Sequence, residues 1–182
     1  YDATHTKANT LTTNSQEIIN QLKGGLKITT YVNILDKYNW LGFPKNYNDD
    51  IRRFEQYTRF KPEIKMKYVL YYDTVKNDYL ERAFPGMSYE EKAKKVIEME
   101  KLNPKKILTP EQIRAKIDLR TTEGNRCVRL LERESGEKTF LRLYDDYQIF
   151  PSESEITAAL KRMVMTLPTI GFLSGHGERE TD

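Results

Sequence analysis

Cysteine is almost absent from this chain of 182 residues: Cys127 stands alone. A single thiol forms no intramolecular disulfide, so there is no disulfide framework and no dithiol for redox exchange. Its neighbours alternate in polarity like a strand, which predicts a half-buried, inert thiol. Histidine is nearly as scarce, with His5 and His176 near opposite ends and no spacing of the zinc type. No apolar run approaches the roughly 20 residues that span a bilayer, and no secretory leader is visible. Repeats and low-complexity tracts are missing too. The 30 Lys and Arg nearly balance the 27 Asp and Glu, and a net charge of +3 is too mild to argue for a nucleic-acid partner.

What remains is ample for a core. Hydrophobic residues make up 38% of the chain and include 12 Tyr and 7 Phe, which excludes wholesale disorder. Residues 1–14 are polar and read as an extended lead-in, with Thr13 or Asn14 capping a helix over 15–24 that Gly24 and Gly25 end. Period-two patterning predicts strands at Leu26–Ile34 and Ile64–Tyr72, the second with Lys65 and Lys67 on a solvated face. Between them Tyr47, Ile51 and Phe54 recur at helical spacing. Ser88 with Glu91 opens a helix to about Leu102, and Thr109-Pro110 starts another. Arg126–Glu132 and Lys138–Tyr144 flank Glu134-Ser135-Gly136-Glu137 as a hairpin. A last helix starts at Ser152 and carries Ile156, Leu160, Met163, Val164 and Leu167 to Pro168; Thr169–Leu173 is a short strand. This order implies an α/β fold, a mixed central sheet flanked by helices, compatible with a thioredoxin-like arrangement.

Chemistry is hard to find on that frame. In a thioredoxin-like layout the dithiol follows the first core strand; here that loop is Asp36-Lys37-Tyr38-Asn39-Trp40. The acidic doublets Asp49-Asp50, Glu90-Glu91 and Asp145-Asp146 read as solvated turn or helix-start residues. The lysines around Glu90–Glu100 read as an ordinary salted helix face. Ser174, His176 and Glu178 sit close enough in sequence for a hydrolase-type reading, but no Gly-x-Ser-x-Gly elbow surrounds them. Gly175 and Gly177 instead suit a tight turn. No cofactor or metal is expected. Aromatics near loop positions, in Tyr38 to Phe43 and again in Tyr144 to Phe150, are candidates for partner contact or for plugging the sheet ends, with Tyr38, Trp40 and Phe43 foremost for partner contact.

Two separated segments resemble one family. Asp2-Ala3-Thr4, Lys7 to Thr12 and Ser15 are similar to the lead-in of GldG-like auxiliary subunits of ABC transporters, which precedes a helix and a strand like Ile28-Thr29-Thr30-Tyr31. At the far end, Ile170 to Glu178 resembles that family's apolar strand followed by Gly-His-Gly-Glu, here Gly175, His176, Gly177 and Glu178. Lys37 to Gln148 matches in element order alone. The resemblance implies a non-catalytic binding or scaffolding domain on the periplasmic face of the inner membrane, anchored by a helix before residue 1. Its implied partners are membrane-embedded transporter subunits and an ATP-binding-cassette protein, with no nucleic acid. It further implies a domain over 15–167 and the first strand of a second, truncated domain over 168–182. An anionic-polymer or nucleic-acid binder is the remaining alternative.

Overall fold

The computed structural model describes residues 10–144 and 148–165. Helix α1, Thr13–Gln21, leads to β1, Leu26–Asn33, whose alternating residues are almost all buried. Two 3-10 turns, Asn39–Gly42 and Pro44–Asn46, precede α2, Tyr47–Arg53, and α3, Glu55–Phe60. Strand β2, Ile64–Tyr71, is followed by α4, Asp78–Ala83, and α5, Tyr89–Met99. Next come β3, Ile107–Leu108, then α6, Pro110–Arg114, and α7, Arg120–Glu123. The hairpin β4, Val128–Arg133, and β5, Lys138–Arg142, and helix α8, Glu153–Val164, complete the order.

The five strands form one mixed sheet in the order β3-β2-β1-β4-β5. β1 runs parallel to β2, from Leu26 opposite Ile64 to Asn33 opposite Tyr71, and β2 runs parallel to β3. β4 is antiparallel to β1 and β5 antiparallel to β4. Strand side chains alternate between faces, so the packing partners identify the layers. Leu26 and Ile28 of β1 and Leu131 of β4 pack with apolar residues of α1, α3 and α8. Val32 and Leu70, of the same parity, pack with Leu80, Ala93 and Val96 from α4 and α5. The opposite face is thinner: Tyr71 and Val128 meet Ile113 and Leu119 from the α6–α7 segment.

Local capping signals explain where several helices start. Ser88 with Glu91, Thr109 with Gln112 and Ser152 with Glu155 each form a reciprocal capping box. Several expectations are corrected. α1 is capped by Thr12, not Thr13 or Asn14, because Thr12 donates its amide and hydroxyl to Glu153 Oε1 at 2.9 and 2.8 Å. Glu153 opens α8, so a contact across 141 residues outweighs the local pattern. Leu11 is already core at 2% exposure, and α1 stops at Gln21, before Gly24. The helical stripe near residue 50 is also rotated: Ile51 is 41% exposed while Asp50 is 1% exposed. The helix breaks at Phe54 (φ −99°, ψ 2°), which turns Asp50, Phe54 and Tyr57 inward.

Asp50 is therefore no solvated helix-start acid. Its Oδ1 accepts from Arg129 Nη2 on β4, also 1% exposed, and its Oδ2 accepts from Tyr68 Oη at 2.8 Å. Burial, together with the Asp50 charge, pushes the Tyr68 phenol far above its ordinary value. Arg129 stacks over Phe54 at 5.4 Å, and Arg53 adds a second cation 4.0 Å from Asp50. Lys92 departs from the salted face as well: at 3% exposure it turns inward to Glu81 at 2.6 Å, whereas Lys94 pairs with Glu90 along the helix surface. Removing one member of a buried pair strands the other charge. Asp50→Ala is expected to cost about 3–5 kcal/mol in urea unfolding, and Asp50→Leu combined with Arg129→Met to recover most of that loss.

Candidate functional site at the carboxyl edge of the sheet

The ends of β1 and β2 and the start of β4 meet at one edge, where ladder bonding stops and backbone groups need other partners. Asn33, fully buried, supplies them. Its Nδ2 donates to the carbonyls of Asp73 and Asn125 at 2.9 and 3.0 Å, and its Oδ1 accepts from Leu35 N at 3.1 Å. One amide thus ties the segments after β1, after β2 and before β4. Asn125, held at φ +57°, donates to Thr74 O at 2.9 Å, and Asn77 donates to Leu35 O at 2.9 Å. Asp73 takes a two-pronged contact from Arg114 Nε and Nη2 at 3.0 and 2.7 Å.

Asp36 lies in the loop that follows β1. Its carboxylate is 1% exposed and spends both oxygens on backbone N–H groups, Oδ1 on Lys37 and Oδ2 on Cys127, each at 2.7 Å. The Cys127 thiol, 3.9 Å from Asn33 O, is 4% exposed, more deeply buried than its sequence predicted. Burial first, and the neighbouring Asp36 charge second, push this thiol well above its ordinary value, which suppresses the thiolate a nucleophile needs. A cleft of about 580 Å³ lies beside this edge, bordered by Lys37, Val75, Lys76, Tyr79, Gly124 and Arg126.

The aromatic loop divides into two roles. Phe43 is 2% exposed and lies in the core, so it offers a partner no surface; Tyr38 is buried and donates its hydroxyl to Tyr144 O at 3.1 Å. Both plug the sheet end. Trp40 stays 37% exposed, its ring edge-on to Phe150 at 6.1 Å. The Arg53 guanidinium covers the Phe150 ring at 3.7 Å, completing a Trp–Phe–Arg shoulder in which Phe150 is half-buried against the core. Its backbone is fixed by Asn46 Nδ2, which donates to Trp40 O at 2.7 Å. Gly42 lets this turn close on β1, since a Cβ there would stand 2.2 Å from Val32 Cγ2. Trp40 and Phe150 both stand out in the sequence as loop aromatics; that they meet, and that Arg53 covers Phe150, does not, because residues about 100 positions apart come together only in the fold.

Ser174, Gly175, His176, Gly177 and Glu178 lie outside the described residues, as do His5, Asp145, Asp146 and the strand expected at Thr169–Leu173. Among the described residues no group of three or more His, Cys, Asp or Glu side chains gathers to hold a metal, and no helix is long and apolar enough to cross a membrane.

The clasp makes Cys127 a reporter of the edge. Asn33→Ala leaves buried backbone groups unpaired and is expected to cost about 3 kcal/mol or more. Alkylation of Cys127 should track global unfolding in the parent chain and accelerate in that variant; equal labelling rates would refute the clasp.

No protein-family model, curated protein or solved structure matches this chain.

Proposed function

We propose that this chain is a non-catalytic recognition and scaffolding domain, built on a thioredoxin-like layout, from the extracytoplasmic part of a GldG-like accessory subunit of an ABC transporter. The layout is supported by the sheet. A parallel β1–β2 pair, β4 antiparallel on the other side of β1, β5 beyond it and a packing helix after β5 is the arrangement that reading requires. The GldG-like reading is supported by what its lead-in residues do. Leu11 enters the core, and Thr12 and Ser15 converge on Glu153 Oε1, which fastens the start of the domain to its last helix.

The single observation that carries the recognition reading is the Trp40–Phe150–Arg53 shoulder beside an edge whose carboxylates are already committed to structural hydrogen bonds. Tryptophan and arginine on a preorganised base are the residue types that dominate binding energy at protein interfaces. Membrane-embedded transporter subunits are the partners under this reading, met at the periplasmic face of the inner membrane, with an ATP-binding-cassette protein in the full system.

In the full-length product expressed with its neighbouring genes, Trp40→Ser is expected to weaken co-purification with those transporter subunits by about tenfold or more. The thermal midpoint should not move, because Trp40 is outside the core. Full assembly in the variant, or a membrane fraction free of any cassette protein, overturns the proposal.

A further inference from the structure

β2 is only partly covered at its outer edge. β3 pairs with Leu70 and Tyr71 and with nothing before them. Tyr71 turns its carbonyl to Ile34 N, beside β1, and Tyr72 turns its N–H to Leu108 O in β3. Backbone groups alternate sides along a strand, so Met66 and Tyr68 direct their N–H and C=O outward, away from β1. Ile64 N is bonded to Lys61 O; no hydrogen bond from another described segment reaches the outward groups of Met66 or Tyr68. An open strand edge of this kind is a template for another extended chain.

The side chains along the edge say which chain. Lys65 and Lys67 are exposed on one face and make no ion pair among the described residues. Lys27, opposite Lys65 on β1, lies on the same face, and its charge is matched by Glu132 at 2.7 Å. Lys138 reaches the same carboxylate at 3.0 Å, so Glu132 presents no unbalanced negative charge. Glu63, at the start of the edge, lies 3.8 Å from Lys61. On the other face Met66 and Tyr68 are half-buried, with Tyr47 stacked on Tyr68 at 4.0 Å.

We infer that the edge Ile64–Val69 takes an extended acidic segment of a partner protein as an added strand, its carboxylates at alternate positions beside Lys65 and Lys67 and its apolar residues beside Met66 and Tyr68. Lysines on an edge also repel a second copy of themselves. The same two charges therefore exclude self-pairing and admit an acidic strand, a specificity built from repulsion as well as attraction. Two unpaired lysines form too small a field for a nucleic-acid backbone, whose binding draws on many phosphate contacts. This inference stands independently of the transporter reading and of the Trp40 shoulder.

The probe is a capped peptide alternating glutamate and valine, titrated into the whole chain with amide hydrogen exchange as the readout. Binding is expected to slow exchange at Met66 and Tyr68. Lys65→Glu with Lys67→Glu should weaken it about tenfold, since two favourable cross-strand pairs become two repulsive ones; both sites are exposed, so the thermal midpoint should hold. A peptide carrying lysine for glutamate should not bind. Slowing at other amides, binding unchanged by the charge reversal, or a dimer formed through this edge overturns the inference. Equal binding of single-stranded DNA or anionic vesicles without slowing at Met66 and Tyr68 does so too, reducing the lysines to a general polyanion patch.

Discussion

The fold turns on a hydrogen-bonding problem at the end of a parallel strand pair. Inside the sheet, β1 satisfies its backbone through β2 and β4. Past Asn33 the neighbours diverge, and the buried carbonyls and amides there lose their ladder. An unpaired buried backbone group costs free energy comparable to a lost hydrogen bond. The Asn33 side chain, at 0% exposure, restores the balance by reproducing both a donor and an acceptor of the missing ladder. Asp36, Asn77 and Asn125 extend the solution outward. Buried hydrogen bonds of this kind rigidify their surroundings, although the Tyr71 hydroxyl beside Asp36 and Asp73 has no partner among the described residues, and the loops they fix are those a partner would meet.

The helix-covered face poses the opposite problem, a charge where apolar packing would suffice. Arg129 lies in a strand otherwise rich in Val and Leu, and it enters the core only because Asp50 faces it. Such a pair does not by itself stabilise more than well-packed apolar residues would. Its effect is on placement. Asp50 can reach Arg129 because the helical segment breaks at Phe54, and the break swings Arg53 outward onto the Phe150 ring. The buried ion pair and the aromatic shoulder are consequences of one turn in the backbone.

That division marks what the sequence could reveal. Capping boxes at Ser88, Thr109 and Ser152 depend on residues three apart, and the hairpin turn on Gly136 at φ +103°, so each was legible locally. The long strands announced themselves by alternation. The Thr12–Glu153, Asp50–Arg129 and Lys92–Glu81 contacts were not legible, because an acid or base shows its partner only once the chain has folded. The two-residue β3 carries no periodicity to detect, and α4 and α7 are too short to display a stripe. At the candidate site Trp40 stood out, but exposure separates it from Phe43 three residues later, and exposure is a property of the fold.

A rigid carboxyl edge and an open strand edge solve recognition by different physics. The shoulder offers large aromatic area whose side chains are already ordered, so little rotamer freedom remains to be lost on contact. The outer edge of β2 offers main-chain groups that no described segment pairs, whose bonding is indifferent to sequence, and leaves discrimination to Lys65 and Lys67. Main-chain pairing supplies affinity in steps along the strand, while a single charge at every second position sets which strands are admitted. The two surfaces lie on separate elements, the turn after β1 and the free side of β2, yet both are braced by the same β1–β2 pairing. Rigidity inherited from that shared pair is what allows each surface to bind without first having to fold.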